Sequence, residues 1–151
     1  MCIHASTVAN ERSIVKVYLA ARYCEKNRIA KLAEDLPVLE VESTSSWYKE
    51  DFKPDVSMHD VEVDVLELIA KRDIREIQEA DVFVQFTIDP DSPMIRGGMH
   101  FECGYAWALK KPILLVGPRQ NVFHHLPGVE RVKGWKEAKT WLRAKSLMRE
   151  S

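Results

Sequence analysis

Three strongly apolar runs, IVKVYLA at 14–20, DVFVQFT at 81–87 and ILLV at 113–116, recur in a chain whose intervening stretches space their apolar residues like helices. That alternation limits the possible folds sharply. A strand buried on both faces reads as a continuous apolar run, and strands separated by helices pair in parallel through crossovers that cover both sides of the sheet. A further strand with alternating character is expected at 38–43 (VLEVES). Helical periodicity covers 25–36, 59–80, 101–109 and 135–147, with Ile29, Leu32 and Leu36 on one face of the first and Val61, Val65, Leu68 and Ile69 on one face of the second. The stretches 45–57 and 88–99 carry Pro or Gly and mixed polarity, and read as loops. The expected architecture is α/β. It is a Rossmann-like or flavodoxin-like parallel sheet with helices on both faces, one domain over 14–151 after an N-terminal extension at 1–13.

With 151 residues, 46% hydrophobic and 30% charged, the chain suits a single core. Lys+Arg number 22 against 23 Asp+Glu, so no broad basic surface of the kind that grips nucleic acid is expected, and a small solute is the better candidate partner. No apolar run approaches the roughly 20 residues of a membrane span. The opening MCIHASTVANERS lacks the apolar stretch of a secretion signal, which points to a cytoplasmic protein. Cys2, Cys24 and Cys103 are odd in number and without metal-ligand spacing, so reduced thiols are expected, with Cys103 packed rather than nucleophilic. His124 and His125 are adjacent, their side chains diverge, and no nearby Cys or carboxylate completes a ligand set. They read as loop-packing or subunit-contact residues, and neither metal nor cofactor is expected.

In open parallel sheets ligands gather beyond the carboxyl ends of the strands, which here selects 20–25, 43–48 and 87–102. Glu102 falls there, at the start of a helical segment. In a first turn the helix dipole would favour its ionised form by ~0.3–1 kcal/mol and make it a candidate nucleophile; the alternative is a helix cap or a pair with Arg96. Trp47 is placed either to stack on a base or to close the edge of the core. Arg96, Gly97 and Gly98 suit either a phosphate clasp or a flexible lid. Asp81 reads as a structural residue at the amino end of its strand. Arg72, Arg75 and Glu76 read as solvated charges beside Asp73, one of them steering its carboxylate.

The segments VYLAAR (17–22), RDIREIQEADVFVQFT (72–87) and RGGMHFECGYAWALKKPILLVGP (96–118) together resemble the nucleoside 2-deoxyribosyltransferase superfamily, which includes related nucleotide N-glycoside hydrolases. The resemblance spans about 14–142. Its more specific part is an Asp on the helix before "AD", followed by Glu-x-Gly-x-Ala and a Lys-Pro strand start. It implies that Glu102 is the nucleophile that attacks the anomeric carbon, that Asp73 handles the base and its proton, and that Tyr18 lies beside sugar or base. It further implies that Asp91 and Ser92 contact sugar hydroxyls or a 5′-phosphate, with Arg22 near a phosphate-binding arginine of the hydrolase branch. A homodimer or higher homo-oligomer follows from the same resemblance, with the segment 121–126 as a candidate contact.

The residue types suit the chemistry. Breaking an N-glycosidic bond develops positive charge at C1′, which a carboxylate stabilises and then bonds to, while a second acid protonates the departing base. Two successive inversions give net retention. Deoxyribosyl transfer to another base, hydrolysis of a 5′-monophosphate, and a nucleotide-binding module without turnover remain the three functional alternatives. The tail RAKSLMRES does not plainly show the Asn and terminal carboxylate that transferases draw from a neighbouring subunit.

Overall fold

The computed structural model describes residues 13–50, 60–88 and 97–149. Five strands form one parallel sheet: β1 (Val15–Ala20), β2 (Val41–Ser43), β3 (Val82–Phe86), β4 (Ile113–Val116) and β5 (Val129–Val132), in the spatial order β2-β1-β3-β4-β5. The longer helices are α1 (Lys26–Ala33), α2 (Val63–Glu79), α3 (Gly98–Ala108) and α4 (Trp135–Met148). This is the flavodoxin-like arrangement, and chain order reverses at the β1/β3 junction, where ligands of such sheets bind.

β3 and β4 are buried along their whole length, which is why β4 is wholly apolar and β3 is apolar but for Gln85. Side chains alternate across the sheet. Tyr18 of β1 pairs in register with Phe83 of β3, and their rings stack at 5.6 Å with planes 7° apart. On the opposite face the Phe86 ring meets Arg28 of α1 at 5.7 Å and Trp135 of α4 at 5.6 Å. Helices α1 and α4 therefore cover one face, and α2 and α3 the face that bears Tyr18 and Phe83.

Three elements depart from the sequence expectations. The strand expected from 38 begins at Val41, because Pro37–Leu39 forms a 3-10 turn with Pro37 at its start and Glu40 adopts a left-handed φ of 58°. β5 (VERV) was not anticipated; it is a short edge strand whose Glu130 and Arg131 face solvent, so no apolar run marks it. Helix α3 starts at Gly98 rather than at 101, which moves Glu102 out of the first turn.

The shortness of β2 shapes the crevice. Its pairing with β1 stops at Val17 and Ser43, leaving the backbone of Leu19 without a strand partner on that side. Side chains take over: the Leu19 N–H donates to Ser45 Oγ at 3.1 Å, and the Trp47 indole N–H donates to the Leu19 carbonyl at 2.7 Å. Tyr48 adds a hydroxyl bond to Ser43 Oγ at 2.9 Å. These bonds satisfy buried backbone groups and fix the loop after β2 beside the carboxyl end of β1. At the other end of the sheet Asp81 accepts from the Lys16 N–H at 2.8 Å and pairs with Arg149 at 2.5 Å, a structural junction.

Candidate active site

Helix α3 buries Met99, Cys103 and Ala106 against the sheet, a spacing that sets one helical face inward. Glu102 lies at the border of that face, in the second turn. The residue keeps some accessible surface, but its Oε2 is wholly buried and has no hydrogen-bond partner among the described residues. Burial pushes its carboxyl up to about 7; the neighbouring Tyr18 hydroxyl offsets part of the rise, and Asp73 and Glu76 add to it. The expectation that a first-turn dipole keeps this acid ionised is thus corrected: desolvation outweighs the helix terminus, and near neutral pH the group titrates.

Tyr18 is fully buried at 0% exposure, and its hydroxyl too lacks a partner among the described residues. The two side chains act on each other's ionisation yet stop short of a formed hydrogen bond. Burial first, and then the charges of Glu102 and Asp73, hold the phenol far above its ordinary range, so it remains an O–H donor aimed among carboxylates.

Asp73 projects from α2 into the same region. Its Oδ1 accepts from Arg72 at 2.7 and 3.1 Å. Burial raises its carboxyl, Arg72 opposes the rise, and Glu76 and Glu50 reinforce it. The reading of Arg72 and Glu76 as solvated charges is corrected, because their surroundings are tertiary. Glu76 is 8% exposed, takes the Ser46 N–H at 3.0 Å and the Ser46 hydroxyl, and offers its backbone carbonyl to Thr44 Oγ1 at 2.8 Å. Arg72 pairs with Glu50 as well as with Asp73 and lies 3.9 Å from Glu76. Glu50 and Ser46 were missed from sequence; the only local signal was the spacing of Arg72, Asp73 and Glu76 on one helix. Arg75 is exposed, as expected.

The remaining candidates are dispersed. Arg22, just beyond β1, pairs with Glu25 at 3.3 Å. Trp47 is 6% exposed and bonded to Leu19, which gives it the core-edge position rather than a stacking surface. Gly98 is the first residue of α3, and a Cβ there would meet nothing within 4 Å. Asp91, Ser92 and Arg96 lie outside the described residues. A cavity of about 610 Å³ runs beside β2 and the start of the 3-10 turn, lined in part by Ala33, Pro37 and Val41. Another of about 450 Å³ lies along the other side of α3, between His100, Trp107, Phe123 and Leu126. Neither takes in Glu102, Tyr18 or Asp73.

Cys103 is buried and its thiol is pushed up to about 11, which suits packing. His124 is 1% exposed, accepts the Gln120 N–H on Nδ1 at 3.0 Å, and is pushed down to about 4 by burial and nearby positive groups. No cluster of three or more His, Cys, Asp or Glu among the described residues has the arrangement of a metal site.

The family model described as Nucleoside 2-deoxyribosyltransferase matches residues 17–138. The chain belongs to that family. Among solved structures it is similar to the CMP N-glycosidase BcmB of Clostridium botulinum, with 27% identity over 85% of this chain and 98% of the other, at a TM-score of 0.52. A 2-deoxyribosyltransferase from Bacillus psychrosaccharolyticus shares the fold at 20% identity, 87% and 96% coverage and a TM-score of 0.63. A conserved protein from Enterococcus faecalis V583 does so at 13% identity, 88% and 99% coverage and a TM-score of 0.57. No curated protein matches the chain. As a member of the nucleoside 2-deoxyribosyltransferase family, the protein is an enzyme of N-glycosidic-bond cleavage or transfer. No helix among its described residues is long and apolar enough to cross a membrane.

Proposed function

We propose that the protein hydrolyses the N-glycosidic bond of a nucleoside 5′-monophosphate through a covalent glycosyl-Glu102 intermediate. The observation that carries this reading is the buried Oε2 of Glu102, without a partner among the described residues and set among Tyr18 and Asp73 on the α2/α3 face below the β1/β3 junction. An acid kept from other partners in such a place is available to a reacting carbon.

The ionised Glu102 attacks C1′ as the bond to the base breaks, and the electron pair of that bond leaves with the base. Tyr18, always protonated, donates towards the carboxylate and orients it. Asp73, with its Oδ1 held by Arg72, presents its other oxygen to the base and delivers the proton a neutral leaving group needs. Water then attacks C1′, its hydroxyl stays on the sugar, its proton returns to Asp73, and the C1′–Glu102 bond breaks to regenerate the carboxylate. Arg22 and Gly98, with Asp91, Ser92 and Arg96, are proposed to hold the 5′-phosphate and sugar, and Trp47 to support the loop beside them. Deoxyribosyl transfer shares every step up to the intermediate. Hydrolysis of the monophosphate is preferred on sequence identity, 27% across 98% of a CMP N-glycosidase against 20% for the transferase structure, whose TM-score of 0.63 is the higher of the two.

The protein is further proposed to act as a homo-oligomer in the cytoplasm, with exposed Phe101, Trp107, Val122 and Phe123 forming contacts between copies. To test the reaction, CMP, dCMP and the corresponding nucleosides are incubated with the protein, with and without adenine, and products are separated by chromatography. Free base with sugar phosphate is expected. A new adenine nucleotide or nucleoside would establish transfer instead. If no base is released and Glu102→Ala retains the affinity of the wild type for these ligands, the non-catalytic binding module is the correct reading.

A further inference from the structure

The crevice at the β1/β3 junction has two walls. The chain leaves β1 for α1 on one face of the sheet and leaves β3 for α3 on the other, so the two connections part above adjacent strands. Glu102 belongs to the α3 wall. The α1 wall carries two guanidiniums on one carboxylate: Arg22 Nε donates to Glu25 Oε2 at 3.3 Å, and Arg28 Nη1 donates to Glu25 Oε1 at 2.8 Å. Each Glu25 oxygen thus takes one arginine. Arg28 is fixed from a second side, its Cζ lying 5.7 Å from the ring of Phe86, the last residue of β3. The pair therefore stands at the carboxyl ends of both strands that flank the crevice. The Glu25 side chain is largely covered at 16% exposure whereas that of Arg28 keeps 56%, so the carboxylate is the anchor and the guanidiniums are the part open to a ligand. Each contact uses one N–H of a group that has several, and the three side chains together carry one net positive charge.

Resting on the monophosphate reading, we propose that Arg28 is a second phosphate-binding residue beside Arg22, and that Glu25 is a positioning residue that holds both guanidiniums towards one 5′-phosphate. The nucleotide then spans the crevice, with its phosphate on the α1 wall and its anomeric carbon against Glu102 on the α3 wall. At about pH 7.5 a phosphate monoester carries close to two negative charges on three acceptor oxygens, which suits charge-assisted bonds to both arginines at once. A nucleoside has no group for this wall. Glu25 has a further effect: two guanidiniums drawn to one place repel each other, and the carboxylate offsets that repulsion before any substrate arrives.

The test takes Glu102→Gln as the common background, so that bound nucleotide is not consumed, and titrates CMP and cytidine into the full chain by calorimetry at about pH 7.5. The readout is the ratio of the two affinities. CMP is expected to bind about tenfold or more tightly than cytidine. Arg28→Gln, a change at an exposed side chain, should cut that ratio at least about fivefold, and Arg28→Lys, which keeps the charge but not the planar fork, should restore only part of it. Glu25→Gln separates positioning from charge. Removing a carboxylate beside an anion would by Coulomb's law alone raise the ratio, whereas loss of a positioning group lowers it, and the lower ratio is expected. A purely structural role for these side chains would move Tm and leave the ratio where it was. A ratio unchanged in Arg28→Gln, a ratio near one in the background chain, or no saturable binding of CMP overturns the site; a ratio that rises in Glu25→Gln overturns the positioning role. Base release from CMP by the unsubstituted chain, followed in parallel, reports on the glycosidase reading separately. Base release with an unaltered ratio sinks this inference alone, whereas a ratio that falls as expected without base release supports the anion wall and overturns the glycosidase reading.

Discussion

At the residue scale the decisive feature is a carboxylic acid held where water cannot solvate it. Glu102 has an ordinary value of 4.5 and a folded value of about 7, so its contribution to stability is fully present below about 4.5 and is lost as pH rises through 7. Above that range the fold tolerates an unfavourable buried charge. Glu102→Gln is therefore expected to unfold later than the wild type at pH 8, by on the order of 1–3 kcal/mol, and to match it at pH 4. Denaturant melts at the two pH values check this, while the same variant should lose base release by on the order of 10³-fold. Tyr18→Phe removes the one neighbour among the described residues that eases ionisation of Glu102. The midpoint of the acidic limb of kcat against pH should then move upward, and a midpoint that stays or falls would exclude the hydroxyl as its partner.

At the element scale the candidate site depends on where β2 ends and on how α2 meets the loop that follows it. β2 stops after three residues, which frees the Leu19 backbone for Ser45 and Trp47 and draws the following loop against α2. Ser45→Ala leaves the buried Leu19 N–H unsatisfied and should cost about 1–3 kcal/mol, read as a lower Tm. Helix α2 then locks this loop through Glu76 while its Arg72 holds Glu50 and Asp73. Arg72→Met removes the shared cation from three carboxylates. With solvent screening at a side chain 23% exposed, a loss of about 1–3 kcal/mol is expected at pH 8, falling as the carboxylates protonate in acid. A melt insensitive to pH in this variant would show that the cluster is not coupled through Arg72.

At the scale of the whole molecule, two buried groups pull stability in opposite directions with pH. Glu102 favours the acid side, whereas His124, lowered from 6.5 to about 4, contributes stability present above 6.5 and lost as pH falls through 4. Maximum stability should lie between these limits, and Glu102→Gln should move that maximum towards higher pH, as Tm measured across pH 4–9 will show. The core is ordinary for a sheet covered on both faces. Leu115, 0% exposed in the central region of β4, should cost about 2–5 kcal/mol when replaced by Ala.

The order of strands and helices was legible in the chain because burial on both faces forces the predominantly apolar runs of β1, β3 and β4, and because helices covering a sheet need an apolar stripe. β5 was not legible, since an edge strand exposed on one side needs no such run. Glu102 stood out by its place beyond a strand and its neighbours in a family-like motif, but its ionisation was misread. A dipole can be inferred from position along a helix, whereas desolvation depends on what packs against the residue. Tyr18, Asp73 and Glu76 come from β1 and α2, remote in sequence from α3, and only the folded sheet brings their charges and hydroxyl to one carboxylate. Sequence by itself determined the doubly wound architecture and singled out Glu102 as the candidate acid; tertiary structure decided its surroundings, because electrostatic energy follows distance and burial rather than order along the chain.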